Sequence, residues 1–209
     1  MTTGLRRFLA PPQAENAGEQ PTIHSCEMCG VPSGAEHGHV VDLTSRGILC
    51  TCRPCYLLFT RKTSGGGRYR AIPDRHRYTA DFHLDTATWE TMGIPVRMAF
   101  FFRNSQADST VAFYPSPAGA TECLLPLDQW QDVVAANPEF TDVEEDVEAL
   151  LINREDDRFE CFLVPVDACY QLVGIVKMNW RGFDGGTEAW AEIDAFFTDL
   201  RERSEHAHG

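Results

Sequence analysis

The chain has 209 residues, of which 43% are hydrophobic, and its formal net charge is −13 at pH 7. This hydrophobic content suffices for a buried core in one medium-sized domain or two small ones. An acidic protein repels polyanions, so we do not expect nucleic-acid binding, and no stretch approaches the roughly 18 uncharged apolar residues of a membrane-spanning helix.

The first 22 residues are polar, and we expect them to form a disordered tail. The run R-R-F-L at residues 6–9 is similar to a twin-arginine export signal, but a polar segment with prolines follows it. Because an export signal needs an apolar stretch at that place, we expect the protein to be cytoplasmic, in a reducing compartment.

Residues 23–60 contain five of the eight cysteines and are predicted to form a small metal-binding head. Two Cys-x-x-Cys pairs, Cys26/Cys29 and Cys52/Cys55, are separated by 22 residues, a spacing typical of four-cysteine zinc sites. Four thiolates bind one Zn²⁺ as a tetrahedron. We therefore predict Zn²⁺ on these four cysteines, with iron in a rubredoxin-like site as the alternative, because iron accepts the same geometry.

Local signals around the two pairs predict how the head folds. Gly30 follows the first pair, where a tight knuckle uses a positive φ, and Tyr56 follows the second pair, which we expect to enter a helix. The segments His39–Leu43 and Gly47–Cys50 read as two short strands joined by a turn. Together these signals predict a zinc-ribbon-like hairpin whose stability depends on its metal.

Other interpretations of the head stay open. The cysteines form disulfides in one alternative and a redox-active pair in another, although a reducing compartment and the absence of a βαβ pattern favour a metal. Cys50 is a surplus thiol that either replaces a ligand, bridges to a partner or lies in the local core. His24, His37 and His39 are further candidate ligands, of which His39 has the strongest sequence context, but for each of them we favour a solvated loop histidine over a metal ligand.

Residues 61–78 are predicted to be a basic linker with a glycine break at residues 65–67. The six Lys/Arg of this linker suit either an anionic partner or the acidic body that follows, and we favour the body. The charge is uneven, since residues 23–79 carry eight Lys/Arg against four Asp/Glu, whereas residues 80–209 carry eight against 25.

Residues 79–203 are predicted to form an α+β body, an antiparallel sheet of three to five strands packed by about four helices. The predicted strands are Val96–Phe102, Thr110–Tyr114, Cys123–Leu125 and Phe159–Val164, with a rigid loop at residues 115–120. The predicted helices are Leu84–Met92, capped by Asp85 or Thr86, Leu127–Ala136, Val143–Ile152 (a helix or a helix–strand junction), Cys169–Trp180, capped by Asp167, and Thr187–Arg203. Residues 204–209 are expected to be a disordered tail.

The body offers no catalytic residue in our interpretation. Cys123, Cys161 and Cys169 are isolated among apolar residues and are expected to be small core residues. Two segments, residues 180–186 and 115–121, combine aromatic residues, glycines and prolines. We interpret them as turns that require particular backbone conformations rather than as a binding cleft.

Six short runs in this order resemble an uncharacterised bacterial family: C-E-M-C-G, H-G-H-V-V-D-L, C-T-C-R-P-C-Y-L-L-F, G-G-G-R-Y-R, A-F-Y-P-S-P-A-G-A-T-E and W-R-G-F-D-G-G. The resemblance covers most of residues 24–203. Members of that family are encoded beside nickel–iron hydrogenase subunits and their accessory proteins. The resemblance therefore implies a hydrogenase accessory protein that acts in maturation, assembly or electron delivery through protein contacts.

A second run, E-H-G-H-V-V-D-L-T-S-R-G-I-L-C, is similar to the ββα-metal pattern of phage recombination endonucleases. That resemblance places Glu36 at a metal ligand and His37 at the general base. Tyr56 stands where those enzymes have an asparagine ligand, so the catalytic set is incomplete. We keep a nuclease as the third hypothesis, after a zinc-binding adaptor without catalysis of its own and a rubredoxin-like electron carrier.

Overall fold

A computed structural model describes residues 24–34, 37–61, 64–123 and 127–206. The predicted tail at residues 1–22 lies outside these residues, as do residues 207–209. No helix in the described part of the chain is long and apolar enough to cross a membrane.

The described part of the chain begins with small sheets around the cysteines. Strands β1 (His24–Ser25) and β2 (Pro32–Ser33) pair antiparallel. The predicted hairpin is confirmed, since β3 (Gly38–Asp42) pairs antiparallel with β4 (Gly47–Thr51), and helix α1 (Arg53–Leu58) follows directly.

The segment after α1 returns to this hairpin before it reaches the body. A 3-10 helix (Ser64–Gly67) leads into β5 (Tyr69–Ala71), which pairs antiparallel with the free edge of β3. Strand β6 (Arg77–Thr79) then pairs with the large sheet. Residues of the predicted linker therefore contribute one strand, β5, to the three-stranded sheet and one, β6, to the large sheet.

The large sheet has seven strands in the order β12-β6-β11-β10-β7-β8-β9, more than the three to five that we predicted. Its strands are β7 (Met98–Asn104), β8 (Ser109–Ser116), β9 (Gly119–Cys123), β10 (Glu148–Glu155), β11 (Arg158–Pro165) and β12 (Glu205–His206), together with β6. All neighbours are antiparallel except β12, which pairs parallel with β6. Strands β12 and β6 at one edge of the sheet were not predicted, because the segments that form them contain few hydrophobic residues.

Four helices pack on the two faces of this sheet: α2 (Thr86–Thr91), α3 (Leu127–Ala136), α4 (Val166–Asn179) and α5 (Gly186–Arg203). Trp89 of α2 and Trp130 of α3 belong to one core cluster, in which the Trp130 ring stacks on Phe101 at 4.1 Å. Leu172 of α4 and Phe197 of α5 belong to the cluster on the opposite face. The α+β class with about four body helices is therefore confirmed.

Three local predictions are wrong. The segment Val143–Ile152, predicted as a helix or a helix–strand junction, contains no helix, although its second half is a strand, β10. Both faces of this strand are buried, and the resulting apolar run has no clear period. The loop at residues 115–120 is a hairpin, in which Pro115 pairs with Ala120 and the Ser116 hydroxyl donates to the Gly119 carbonyl at 2.9 Å. Asp167 does not cap α4, whose first residue is Val166.

Other predicted elements agree closely with the structure. Helix α3 has the predicted bounds, and Asp85 caps α2 by accepting from the Thr88 amide at 2.8 Å. Residues 124–125 of the predicted strand Cys123–Leu125 lie outside the described residues. The turn at residues 180–186 is held against helix α5, because the Trp190 indole donates to the Asp184 carbonyl at 2.8 Å.

Arginines from the predicted linker fasten the N-terminal part of the chain to the body. Arg70 donates to the carbonyl of Glu145 at 2.6 Å and pairs with Glu144 and Asp146. Arg75 pairs with the fully buried Glu148 at 2.6 Å. The interpretation in which these arginines pair with the acidic body is confirmed.

Candidate metal centre

The first cysteine pair lies in a tight knuckle between β1 and β2. The Cys26 amide donates to the Val31 carbonyl and the Gly30 amide donates to the Cys26 carbonyl, both at 2.8 Å. Gly30 has the positive φ of 74° that we predicted. This turn brings the Cys26 and Cys29 thiols to the same side.

The knuckle is fixed to the hairpin through one acidic residue. The Glu27 amide donates to the Cys50 carbonyl at 2.9 Å, and the Cys50 amide donates to the Glu27 carboxylate at 2.6 Å. The first cysteine pair therefore has a defined position relative to β4, and β4 leads directly to the second pair.

The second pair lies at the start of α1, as predicted. Cys52 is the last residue before the helix, and its carbonyl accepts the Tyr56 amide at 2.9 Å. Pro54 in the first turn favours a helix start at this point, because its ring fixes φ in the helical range. Cys55 follows within the same turn, so the two thiols lie at the helix N-terminus.

A close approach between α1 and β3 holds this helix in place. A Cβ atom on Gly38 would lie 2.4 Å from the Tyr56 ring, so only glycine leaves room for that ring. The Tyr56 hydroxyl donates to the Ile72 carbonyl at 3.1 Å. The glycine between the two histidines of H-G-H is therefore a packing requirement of the site.

The sulfurs of the four predicted ligands, Cys26, Cys29, Cys52 and Cys55, lie within 4.8 Å of one another. The Cys29 and Cys52 sulfurs are 3.7 Å apart. A zinc–thiolate bond of about 2.3 Å places the sulfurs of a regular tetrahedron about 3.8 Å apart, whereas a disulfide needs about 2.05 Å. All eight cysteines are free, and the four-sulfur cluster has the donor set and size of a metal site.

The environment of these thiols is uneven. Burial raises the pKa of Cys26, but hydrogen bonds from the backbone of Cys52, Cys29 and Met28 outweigh it and lower the pKa to about 6. Hydrogen bonding to the Cys29 thiol, with burial, raises the pKa of Cys55 to about 12. Cys26 is thus the thiol that ionises more easily than Cys55, and metal binding would displace the protons that the ligand thiols still carry.

A family model described as a family of unknown function (DUF5947) matches residues 25–204. The chain belongs to this family. The matched range includes the four-sulfur cluster and every strand of the large sheet except β12. No curated protein matches the chain, and no solved structure does.

The structure also brings together three residues that we considered only singly. One ligand atom from each of His37, His39 and Cys50 lies within 4.8 Å of the other two. The His37 and His39 rings meet edge to face, with centroids 4.9 Å apart. His24 lies in β1, and its side chain is outside the described part of the structure.

A residue of the body completes this second cluster. Asp167, in the first turn of α4, lies with its Oδ2 atom 2.5 Å from Nδ1 of His39, and this hydrogen bond raises the pKa of His39. We missed Asp167 as a site residue because 128 positions separate it from His39. The predicted hairpin, with its three-residue turn at residues 44–46, would pair Cys50 with Val40, whereas the observed register pairs Cys50 with His39.

Cys50 does not have the environment of an activated nucleophile. Burial, with the negative charges of Glu27 and Asp167, raises the pKa of its thiol. A reactive cysteine needs the opposite, a cationic neighbour that stabilises the thiolate. The body cysteines are still less reactive: burial raises the pKa of Cys123 to about 11 and that of Cys161 and Cys169 well above the ordinary range.

The nuclease hypothesis gains little from the structure. Glu36 lies outside the described residues, and the hydroxyl of Tyr56 is used in a contact to the backbone. Among the arginines expected to bind DNA, Arg68 pairs with Asp42 and Arg75 with Glu148. These two arginines have partners inside the protein, which leaves them less available to an external anion.

Proposed function

We propose that this protein is a zinc-binding accessory protein in which Zn²⁺ on Cys26, Cys29, Cys52 and Cys55 stabilises an N-terminal head that contacts a protein partner. The observation that carries the proposal is the four-sulfur cluster, whose 3.7 Å edge agrees with a tetrahedral thiolate site. A closed four-thiolate site leaves no open coordination position, so its role is structural.

The need for such a metal follows from the packing of helix α1. None of its six residues is buried, so the helix contributes almost no apolar burial to its own stability. Its N-terminal cysteines would instead be joined through the metal to the knuckle, more than 20 residues earlier in the chain. A segment this short does not fold stably without such a crosslink.

The same helix presents apolar side chains that suit a partner. Leu57 is 51% exposed and Leu58 is 63% exposed, and Val31 of the knuckle is 53% exposed. Each follows a cluster cysteine by two or three residues. We propose that these three residues, the head patch, contact a cytoplasmic nickel–iron hydrogenase subunit during maturation, assembly or electron delivery, the setting that the family resemblance implies.

A rubredoxin-like iron carrier is the alternative for the same cluster. Purified protein would be colourless with zinc bound in the adaptor, and red with iron bound in the electron carrier. Metal analysis with a visible spectrum on protein from the native cell distinguishes the two. Iron that is present in the wild type and absent from the Cys29→Ser variant would exclude the zinc assignment.

The partner is tested by affinity purification from the native cell. We expect hydrogenase subunits to co-purify with the wild-type protein, and to be lost from the double variant Leu57→Ser/Leu58→Ser. Met178→Ser is the matched control, because Met178 is equally apolar and 73% exposed but belongs to α4 of the body. Absence of hydrogenase subunits from the wild-type sample, or equal recovery with all three proteins, would overturn the proposed partner.

A further inference from the structure

The cluster of His37, His39 and Cys50 arises directly from the pairing of β3 with β4. His39 and Cys50 are direct partners in this antiparallel ladder. Side chains of directly opposed residues lie on the same face of a sheet, about 5 Å apart at their Cβ atoms. His37 precedes β3 by one residue, and its ligand atom falls within the same 4.8 Å group.

We propose that His37, His39 and Cys50 form a second metal site, separate from the four-sulfur cluster and open at its fourth position. Two imidazoles and one thiolate are a donor set that borderline divalent ions such as Zn²⁺ prefer. Three protein ligands with a free position characterise catalytic rather than structural zinc sites. The inference goes beyond the proposed function, which needs only the closed cluster.

The distances are compatible with such a site after small side-chain rotations. Bonds of about 2.0–2.1 Å to nitrogen and 2.3 Å to sulfur give tetrahedral edges of roughly 3.3–3.6 Å. The three ligand atoms lie within 4.8 Å of one another, so no distance exceeds these edges by more than about 1.5 Å. All three residues are only partly buried, so their side chains have room to close around an ion.

Asp167 gives His39 the arrangement that a metal-binding histidine usually has. A ligand imidazole commonly uses its second nitrogen to bond a carboxylate, which fixes the tautomer and the ring orientation. The 2.5 Å contact between Nδ1 of His39 and Asp167 provides this bond and leaves Nε2 as the coordinating nitrogen. Because Asp167 belongs to α4, the body would orient a ligand of the head.

The open position has a place to receive a ligand. His37 and His39 line a cleft of about 1000 Å³ between the hairpin and α4. Arg53 and Arg203 also line it, and the side chain of His76, which is 10% exposed, has a buried Nε2 without a hydrogen-bond partner among the described residues. These groups suit a small anion or a water molecule bound to the metal.

The test counts metal ions in the full-length protein after chelation and reloading with Zn²⁺ or Co²⁺. We expect two ions per chain for the wild type and one for His39→Ala and for Cys50→Ala. The matched control is His83→Ala, an exposed histidine of the body, which should keep two ions. Asp167→Asn should also keep two at saturation but bind the second ion about 10- to 100-fold more weakly, as loss of a supporting carboxylate does.

The outcomes separate this inference from the proposed function. One ion in the wild type, absent from Cys29→Ser but kept by His39→Ala, would overturn the second site and leave the zinc-binding adaptor standing. Two ions in both the wild type and His39→Ala would also overturn it. The Co²⁺ spectrum provides the control for folding, since the bands of the four-thiolate site should be unchanged in His39→Ala.

Discussion

Replacing Arg75 by methionine should destabilise the protein strongly, because it leaves a buried carboxylate without its charge partner. The side chain of Glu148 is fully buried and accepts two hydrogen bonds from Arg75, from Nε at 2.8 Å and from Nη2 at 2.6 Å. After the substitution, the one remaining donor identified for this carboxylate is the Glu144 amide at 2.8 Å. Methionine keeps much of the aliphatic packing of arginine but none of its charge.

The magnitude follows from this geometry. Removing one partner of a buried ion pair lowers the free energy of unfolding by about 3–5 kcal/mol. Arg75 itself is 36% exposed, so water can reach the vacated space, and we expect the lower end of this range, about 3 kcal/mol. That is a large part of the 5–15 kcal/mol that usually stabilises a folded protein.

Urea denaturation of three variants tests the reasoning. Arg103→Met is the matched control, since the Arg103–Asp108 pair is exposed on both sides and should contribute less than about 1 kcal/mol. In the double variant Arg75→Met/Glu148→Met, much of the lost stability should return, because no unpaired charge remains buried. Equal effects of Arg75→Met and Arg103→Met would refute the argument and reopen an external role for the basic segment.

Three further predictions concern the head. Cys26→Ser should remove the metal and unfold the head while the body stays folded, because a structural zinc contributes roughly 10–16 kcal/mol; amide hydrogen exchange measures this, and a folded, metal-free variant would contradict it. Gly38→Ala should cost about 1–3 kcal/mol, since the new Cβ meets the Tyr56 ring at 2.4 Å. Thermal unfolding measures this cost for Gly38→Ala in the wild-type background and in the Tyr56→Leu background. The cost should be smaller in the Tyr56→Leu background, where the ring is absent. The ion pair with Arg68 holds the pKa of Asp42 well below its ordinary range. The stability it contributes is complete above about pH 4 and is lost as the pH falls further, so Arg68→Gln should flatten the unfolding free energy against pH between about pH 2 and 5.

The four-sulfur cluster could be predicted from the sequence because its geometry is local. Two cysteines three positions apart are brought together by a single turn, and the hairpin between the pairs was recognisable from its own strands. The role of Gly30 could also be predicted, since a tight knuckle at that point uses a positive φ, and the structure shows one. Only the identity of the ion lies beyond such reasoning, because zinc and iron accept the same four sulfurs.

The second cluster could be predicted only in part. The predicted hairpin brought the strands of His39 and Cys50 together, but its three-residue turn would pair Cys50 with Val40. The observed turn at residues 43–46 is one residue longer, and this places His39 opposite Cys50. Asp167 could not be placed, because its sequence context indicates an ordinary helix cap and its role depends on how α4 packs against the hairpin. The error at residues 143–152 has a related cause: a strand buried on both faces has no hydrophobic period to distinguish it from a helix.

Strand β4 connects the two clusters, so that metal binding at one of them is coupled to metal binding at the other. Glu27 joins the knuckle to Cys50 through two hydrogen bonds of 2.9 and 2.6 Å, and Cys52 follows two residues later. A metal on the four sulfurs therefore fixes the strand that carries Cys50, whereas Asp167 fixes the ring of His39 from the body. If metal on the four sulfurs strengthens binding at the open site, metal at the open site strengthens binding at the four sulfurs by the same free energy. The closed four-thiolate site is expected to bind far more tightly, so it fills first, and the effect of coupling falls on the occupancy of the open site.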